Sequence, residues 1–322
     1  MSPLTQTADV AIPELAGLQR RLLIAGAVGA VVSAIGWFVD ARQFYQSYLM
    51  GYMLCLGVTL GCLALGMVHQ LSGGAWGVVI RRPIGAASRV LPVMTLLFLP
   101  IALGMRHLYP WTNPEVVAAS EALQHKQAYL NTPFFLARTV IYLVIWIVFA
   151  WILSRLSLRQ DETADPALFR RMQAWSAAGF LVVALTATFA AIDWLMSLDA
   201  HWFSSLYGLW FFAGLGLSGL TFAVVVANWE RQTEPMATVL RPRHFHDYGK
   251  LFFAFTMLWA YLSFSQFLLI WSGNLPEEIP FYLRRMHGTW AIVSVLVLLG
   301  HFVIPFLILL SADIKQRAAT LV

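Results

Sequence analysis

The stretch that decides the fold class is 251–279, which reads LFFAFTMLWAYLSFSQFLLIWSGNLPEEI. An apolar run without a single charged residue extends to the turn at 272–274. A run of this length can cross the hydrocarbon core of a bilayer as an α-helix. Ser263, Ser265 and Gln266 lie in its middle, where polar groups are rare unless they have an internal partner. The stretch therefore predicts a membrane-buried helix that carries a polar stripe.

The whole chain has the composition of a membrane protein. Its 322 residues have a mean hydropathy of +0.70, and only 11% of them are charged, whereas soluble domains carry about 25%. The net charge of +5 comes from basic residues in short loops between apolar runs, so it does not indicate a nucleic-acid partner. The two cysteines, Cys55 and Cys62, share one apolar run, and no Cys-x-x-Cys motif indicates covalent haem, iron–sulfur or zinc ligation.

The apolar runs predict an all-α, polytopic transmembrane helical bundle with about eight spans. The predicted spans are 22–39, 44–71, 90–108, 134–153, 169–195, 205–228, 248–271 and 288–311. These form one transmembrane domain, 22–311, between a cytoplasmic N-terminal segment, 1–21, and a cytoplasmic tail, 312–322. The segment 72–89 is predicted to be an interfacial loop or a short surface helix, and 154–165 and 229–246 are predicted to be loops.

The distribution of basic residues predicts the orientation of the chain. Fifteen of the 21 Lys and Arg residues fall in one set of loops and six in the other. Because cytoplasmic loops carry an excess of Lys and Arg, both termini are predicted to be cytoplasmic. The loops 193–201 and 274–285 then share the outer face.

Four segments carry a resemblance to a known family. They are LFFAFTMLWAYLSFSQFLLIWSGNLPEEIPFYLRR at 251–285, HFVIPFLILLSADIKQR at 301–317, KQAYLNTPFFLARTVIY at 126–142 and AAIDWLMSLDAHWFSSLYG at 190–208. Together they resemble the F subunit of alternative complex III, a member of the NrfD-like family of integral membrane proteins. The resemblance covers most of the chain from about Lys126 onward.

The resemblance implies a subunit of a bacterial respiratory quinol:cytochrome c or quinol:acceptor oxidoreductase in the inner membrane. It implies four partners: a sister NrfD-like membrane subunit, a peripheral iron–sulfur subunit, multi-haem cytochrome c subunits and the lipid bilayer. The redox centres would lie in those partners, and this chain would bind neither metal nor covalent cofactor, with a quinone or quinol as its ligand. The family architecture pairs two four-helix bundles, and this branch resembles a ten-span version. We therefore expect the last two spans to be lacking and the second bundle to be incomplete.

Haem ligation is not predicted from the residues either. His287 and His301 are fourteen residues apart on the last span, but no second span offers a matching histidine pair. His301 is interpreted in two ways: it forms an interhelical hydrogen bond, or it belongs to a proton relay. Gln266 is a candidate for the same stripe.

The motif DWLMSLDAHW at 193–202 ends the fifth span and holds Asp193, Asp199 and His201. In one interpretation it is a capped helix end within an aromatic belt. In the other it handles quinol protons, because quinol oxidation releases two protons that a carboxylate or histidine can accept. Apolar rings beside Asp193 favour proton exchange near neutral pH. The sequence therefore predicts that Asp193→Asn lowers quinol oxidation in an assembled complex, and that Asp199→Asn acts more mildly.

A second charged cluster follows the seventh span. Glu277 and Glu278 precede Arg284 and Arg285 at the predicted outer face. The cluster is interpreted as a loop salt bridge, worth about 0–1 kcal/mol, or as a docking site for the iron–sulfur subunit or a proton exit.

Three alternatives to the quinol-oxidising complex remain open. One is the membrane anchor of a polysulfide- or nitrite-reductase-type complex, which belongs to the same family. The second is a secondary transporter, a class that usually shows broken helices at corresponding positions of two halves. The third is a purely structural anchor without a ligand. The segments PEEIP and SLDAHW favour the quinol-oxidising complex within the family.

Overall fold

The structure is a computed structural model that describes residues 13–163, 165–199, 201–233 and 236–317, with side chains from residue 17. The ends of the two predicted cytoplasmic segments, 1–12 and 318–322, lie outside the described residues. Of the described residues, 87% are helical, and the described ranges contain no strand. This confirms the predicted all-α class.

The described part of the chain forms seventeen α-helices. They are α1 Pro13–Val39, α2 Ala41–Ser72, α3 Ala75–Ser88, α4 Leu91–Leu97, α5 Leu99–Leu103, α6 Met105–Leu108, α7 Pro114–Ala118, α8 Glu121–Lys126, α9 Thr132–Thr163, α10 Pro166–Trp194, α11 Tyr207–Trp229, α12 Met236–Val239, α13 Pro242–Gly273, α14 Pro280–Met286, α15 Thr289–Leu298, α16 Ile304–Leu310 and α17 Ala312–Lys315. A π-helical segment, Leu299–Val303, joins α15 to α16.

Eight helical stretches among the described residues are long and apolar enough to span a membrane, as predicted. They are Gly17–Val39, Ala41–Ser72, Ala75–Leu103, Thr132–Thr163, Pro166–Leu198, Tyr207–Gln232, Pro242–Gly273 and Thr289–Leu310. We call the end of the bundle at which α10 and α13 end the outer end, and the end at which α9 ends and α13 begins the inner end. These names follow the predicted orientation.

Two predicted loops are wrong in their bounds. The helix α9 continues to Thr163 through the predicted loop 154–165, because charged residues can extend a helix beyond the apolar layer without a break. The predicted loop 229–246 contains α12 and the first turn of α13, which begins with Pro242 at a position that proline favours. At the other end of α13, Asn274 takes the left-handed conformation (φ 49°) that ends many helices.

The chain divides into two compact units, Met1–Met50 and Gly51–Val322. In the first unit, the apolar stretch Gly17–Val39 buries none of its residues within the protein. A helix that is apolar all round and unburied is suited to contact with lipid. All sites described below belong to the second unit.

The segment 72–89, predicted to be an interfacial loop or a short surface helix, contains the helix α3, which packs one side into the core and belongs to the apolar stretch Ala75–Leu103. It buries Ile80, Ile84 and Ala87 in a core cluster with the inner ends of α11 and α13. The chain turns at residues 89–90, and the third span continues through α4, α5 and α6. Pro92 and Pro100 each lie in the first turn of a new short helix, because proline cannot donate the backbone hydrogen bond of a helix interior.

The helices α2 and α11 cross at two glycines with their backbones in contact. A Cβ atom added to Gly219 would lie 2.5 Å from the carbonyl carbon of Gly61 and 2.6 Å from the backbone nitrogen of Cys62. A Cβ atom added to Gly61 would overlap the carbonyl group of Leu215. Small residues allow this approach, which supplies the dispersion contacts that hold membrane helices together. The crossing fixes α11 against α2 within the second unit.

The topology can be tested at the two ends of α13. We expect reporter fusions placed after Arg241 and after Gly273 to report opposite sides of the membrane, because one continuous helix, Pro242–Gly273, separates them. Alkaline phosphatase should be active in the second fusion, and a cytoplasmic reporter in the first. Two fusions that report the same side would contradict the assignment of the seventh span.

Candidate functional site

An ion pair between Arg138 and Asp193 lies at the outer end of the bundle. Asp193, in the last turn of α10, has a fully buried side chain, and that of Arg138, on α9, is 9% exposed. Arg138 donates to both carboxylate oxygens, from Nε to Oδ2 at 2.9 Å and from Nη2 to Oδ1 at 3.0 Å. The planar guanidinium matches a carboxylate in this bidentate arrangement. The buried carboxylate therefore has its charge partner inside the protein.

Two tyrosines complete the surroundings of the pair. Tyr142 Oη donates to Asp193 Oδ2 at 2.9 Å, and Arg138 Nη1 donates to the backbone carbonyl of Tyr129 at 3.0 Å. The guanidinium also lies over the rings of Tyr129 and Phe134, 3.8 and 4.2 Å from their centroids. Burial, together with the nearby Asp193 carboxylate, raises the pKa of Tyr129 to about 12. That phenol is therefore neutral at pH 7.

Aromatic rings enclose the pair. The rings in contact with one another are Tyr109, Trp111, Phe135, Tyr142, Trp146 and Trp194. Trp194 Nε1 donates to Thr139 Oγ1 at 3.0 Å, and Tyr109 Oη donates to the Trp194 carbonyl at 3.1 Å. Trp194 and Trp202 are 0% and 2% exposed. The interpretation of these two tryptophans as an aromatic belt is wrong, because both pack inside the protein.

The ion pair with Arg138 changes the expected role of Asp193 in the 193–202 motif. The sequence placed the carboxylate beside apolar rings and predicted proton exchange, but it did not identify Arg138 as a partner. Removal of the charge at residue 193 would leave a guanidinium buried without a counter-charge, which is costly. We therefore expect Asp193→Asn to weaken the folded chain, contrary to the expectation drawn from the sequence.

Asp199 forms a separate ion pair at the outer end. Its Oδ2 accepts from Arg284 of α14, and its Oδ1 accepts from the backbone N–H of His201 at 3.3 Å. The pair joins the segment after α10 to the segment after α13, so the predicted shared face of 193–201 and 274–285 corresponds to a real contact. His201 is exposed beside it.

The second arginine of α14 lies in an aromatic stack. The Arg285 guanidinium is 3.4 Å from the centroid of the Phe281 ring, and that ring stacks on Trp202 at 3.8 Å. Arg285 Nη1 donates to the Phe281 carbonyl at 2.6 Å. Burial, and then the charge of Arg284, lower the pKa of Arg285. The residue stays charged at neutral pH, because an arginine pKa lies far above 7.

The two glutamates do not pair with these arginines. Glu277 is exposed and Glu278 is half-buried, and no ion pair to either occurs among the described residues. The predicted salt bridge between the glutamates and Arg284 or Arg285 is therefore wrong, because Arg284 contacts Asp199 instead. Docking of a partner at Glu277 and Glu278 stays a prediction.

Gln266 connects three segments at the outer end. Its side chain is buried, its Oε1 accepts from Ser204 Oγ at 3.2 Å, and its Nε2 donates to Tyr282 Oη at 3.4 Å. One helical turn away, Ser263 Oγ accepts from Trp210 Nε1 at 2.8 Å. Two of the three polar residues of the α13 stripe, Ser263 and Gln266, thus have internal hydrogen-bond partners, as expected for polar groups in a span.

His301 lies at a different depth, in the π-helical segment Leu299–Val303. Single π-helical turns are frequent at functional sites. The imidazole packs edge-on against Trp259 of α13, with 4.3 Å between the ring centroids. His301 is about 18 Å from the outer end of its span, at 1.5 Å per residue from Thr289. The structure therefore does not bring His301 into the Gln266 network.

A groove with a volume of about 870 Å³ runs along the helices beside His301. We call it the His301 groove. Its lining includes Met53, Gly57, Val58, Trp210, Gly214, Leu215, Ser218, Thr221, Phe252, Thr256, Trp259, His301, Ile304, Pro305 and Leu309. The lining is mostly apolar and aromatic, and His301 is the single ionisable group among these residues. Trp210, which lines the groove, donates its indole N–H to Ser263 Oγ of α13.

The candidate residues thus fall into three places. Asp193 is paired with Arg138 inside the protein. Asp199 and Gln266 each contact a residue of α14 at the outer end, and His301 lines the groove. The sequence missed Arg138, which stands inside an apolar run; a lone charge there was the available signal, since intramembrane charges usually have partners. It also missed Trp259, because one more aromatic residue in an apolar helix carries no signal of its own.

The described residues contain no group of three or more His, Cys, Asp or Glu side chains arranged to hold a metal ion. Comparison of the chain with protein-family models found no match, and comparison with curated proteins found none either. The case for a function therefore rests on the motifs of the sequence and on the groove and networks described above.

Proposed function

We propose that this chain is an integral membrane subunit of a bacterial respiratory quinol:cytochrome c or quinol:acceptor oxidoreductase, similar to the F subunit of alternative complex III. In this proposal it forms a quinone-facing platform in the inner membrane and contributes a proton half-channel. A sister NrfD-like subunit, an iron–sulfur subunit and multi-haem cytochrome c subunits supply the redox centres. Both termini are cytoplasmic.

The observation that carries the proposal is the His301 groove. Small-molecule sites are usually concave and mostly apolar, with a few polar groups that orient the ligand. A quinol combines a flat ring with a long hydrocarbon tail, and a groove of about 870 Å³ between membrane helices has room for the ring and part of the tail. Trp259 and His301 offer a ring face and a proton acceptor beside each other.

The chemistry expected of His301 follows from its ordinary behaviour. Quinol oxidation must release two protons, and a histidine within reach of a hydroxyl can accept one because imidazole titrates near neutral pH. The other polar groups that line the groove, Ser218, Thr221 and Thr256, are hydroxyls. They can orient a quinol by hydrogen bonding without titrating.

The helix irregularities do not favour the transporter alternative. The third span is divided into α4, α5 and α6, and the eighth contains the π-helical segment. If eight spans form two halves of four, the counterpart of the third span is the seventh, which is the unbroken α13. Transporters built from two repeats interrupt corresponding helices. The helices of this chain fit the alternative of a polysulfide- or nitrite-reductase anchor equally well. The two functions differ in the subunits with which the chain assembles.

Copurification tests the assembly directly. When the tagged chain is purified from its native membranes in a mild detergent, we expect iron–sulfur and multi-haem cytochrome c subunits to copurify in fixed ratio. The preparation should oxidise a soluble quinol and reduce cytochrome c. Purification with a polysulfide or nitrite reductase, or as a stable assembly without any redox partner, would contradict the proposal.

Substitution of His301 tests the groove. We expect His301→Leu to leave the abundance of the assembled complex unchanged on a native gel and to lower quinol:acceptor turnover about 100-fold, the lower range for loss of a general base. The matched control is His287→Leu, which alters an exposed histidine just before the same span. Equal turnover in the two variants would contradict a role for His301.

A further inference from the structure

A small cavity of about 90 Å³ lies at the inner end, among α2, α3, α9 and α10. Three arginines of α3 and its C-terminal cap line the cavity: Arg81, Arg82 and Arg89. The helix α3 is a short amphipathic helix, with its apolar side in the core and its arginines toward the cavity and the surface.

Positive charge is in excess around this cavity. Arg81 Nη2 donates to Asp161 Oδ1 at 2.7 Å, and Arg82 contacts the other oxygen of the same carboxylate. Arg89 has no ion pair among the described residues. One carboxylate thus pairs with two of the three guanidinium groups, and several of their N–H donors remain for a ligand. The chemistry that fits is an anion with more than one acceptor oxygen, such as a phosphate ester.

The rest of the lining indicates which phosphate ester fits. The cavity is also lined by aliphatic side chains, among them Leu63, Leu153 and Leu158. Hydroxyl groups of Ser154 and Ser157 lie on its α9 side, and Ser157 Oγ accepts from Arg81 Nε at 3.2 Å. A lining that combines charged groups with aliphatic side chains matches a molecule with a phosphate head and a hydrocarbon body.

We propose that this cavity binds the phosphate group of an anionic phospholipid of the inner leaflet, with the acyl chains along α9. Basic pockets between membrane helices at the cytoplasmic side are suited to such headgroups. The orientation is that predicted from the basic loops. Arg82 and Arg89 contact the phosphate, and Arg81 is held in place by Ser157 and Asp161. The site does not depend on the proposed respiratory function.

Lipid binding is measured on the complex with which the chain purifies, after removal of native lipid in detergent. Native mass spectrometry and thermal stability are recorded with added phosphatidylglycerol, phosphatidylcholine or inorganic phosphate. We expect phosphatidylglycerol to bind and stabilise the protein, and the other two to do neither at equal concentration. In the variant Arg82→Gln/Arg89→Gln, affinity for phosphatidylglycerol should fall about 30-fold, because each basic residue contributes about 1 kcal/mol.

Two controls separate the cavity from the general charge of the surface. Arg231→Gln/Arg243→Gln removes two exposed arginines at the inner end of the bundle. This variant should keep wild-type affinity for phosphatidylglycerol. The variant Arg82→Lys/Arg89→Lys should keep most of the affinity for phosphatidylglycerol, which would show that substitution at these two positions does not by itself disrupt the fold. Equal losses in the two glutamine variants, equal binding of phosphatidylcholine, or saturation by inorganic phosphate alone would each overturn the proposal.

Discussion

Asp193→Asn and Arg138→Met are each expected to destabilise the folded chain by about 3–5 kcal/mol, because each leaves one buried charge without its partner. Asp193 has a fully buried carboxylate, and the bidentate bonds from Arg138 are its means of neutralisation. Few other single substitutions in this chain should lower the stability of the fold more. The expected result is loss of monodisperse complex in detergent, measured by fluorescence-detected size-exclusion chromatography and by the apparent melting temperature.

The double variant Arg138→Met/Asp193→Leu is expected to be more stable than either single variant. Replacement of a whole buried ion pair by apolar residues of similar volume is often neutral or stabilising. Tyr142 would lose its acceptor in the double variant, so recovery should be large but incomplete. The double variant also separates folding from chemistry, because its complex can be assayed for quinol oxidation.

The matched control for this cycle is the exposed pair at the same end of the bundle. Asp199→Asn/Arg284→Met removes the other outer ion pair, whose arginine side chain is 63% exposed, and should cost less than about 1 kcal/mol. If Asp193→Asn kept wild-type stability while turnover and proton release fell, the proton-handling interpretation drawn from the sequence would replace the structural one. If the double variant folds but does not oxidise quinol, the Arg138–Asp193 pair has both a structural role and a role in proton handling.

Gly61→Leu is expected to prevent the close approach of α2 and α11, with loss of most folded protein. Even Gly61→Ala places a carbon 2.7 Å from the carbonyl carbon of Leu215, where the contact is backbone and no side chain can move aside. Overpacking commonly costs about 1–3 kcal/mol and occasionally more, and a backbone clash belongs at the upper end. Folded yield and melting temperature in detergent measure the effect.

The control for this glycine lies on the same helix. A Cβ atom at Gly51 would meet no atom within 4 Å, so Gly51→Ala should be neutral or slightly stabilising, since alanine favours helices by about 0.8–1.0 kcal/mol over glycine. If Gly61→Ala and Gly51→Ala had the same melting temperature, the described crossing of α2 and α11 would be contradicted.

The architecture followed from local sequence patterns. The uncharged run that begins at Leu251 indicated a span because length and apolarity alone decide whether a helix can cross a bilayer. The segment 131–133 reads Asn-Thr-Pro, a capping residue followed by a proline, which predicts the start of a helix. The helix α9 begins at Thr132, with Asn131 Oδ1 accepting from the backbone N–H of Phe134 at 3.0 Å. Such signals depend on neighbouring residues, which the sequence shows directly.

The ion pairs at the candidate sites could not be predicted from local sequence patterns. Arg138 and Asp193 are 55 residues apart, and Asp199 and Arg284 are 85 apart. Their contacts depend on which helices pack together, and a single sequence does not show that. The sequence instead paired residues close in the chain, such as Glu277 and Glu278 with the following arginines. The groove beside His301 was invisible for the same reason, since its lining comes from four spans.

The central claim is that a quinol binds in the His301 groove, and photoaffinity labelling tests it most directly. The complex is irradiated with an azido-quinone analogue, and labelled peptides are identified by mass spectrometry with and without excess natural quinol. We predict protectable labelling on peptides that contain Trp210–Val225, Trp259 or His301, and loss of that labelling in a variant that fills the groove, Gly214→Phe. Labelling confined to partner subunits, or labelling here that excess quinol does not reduce, would contradict the claim.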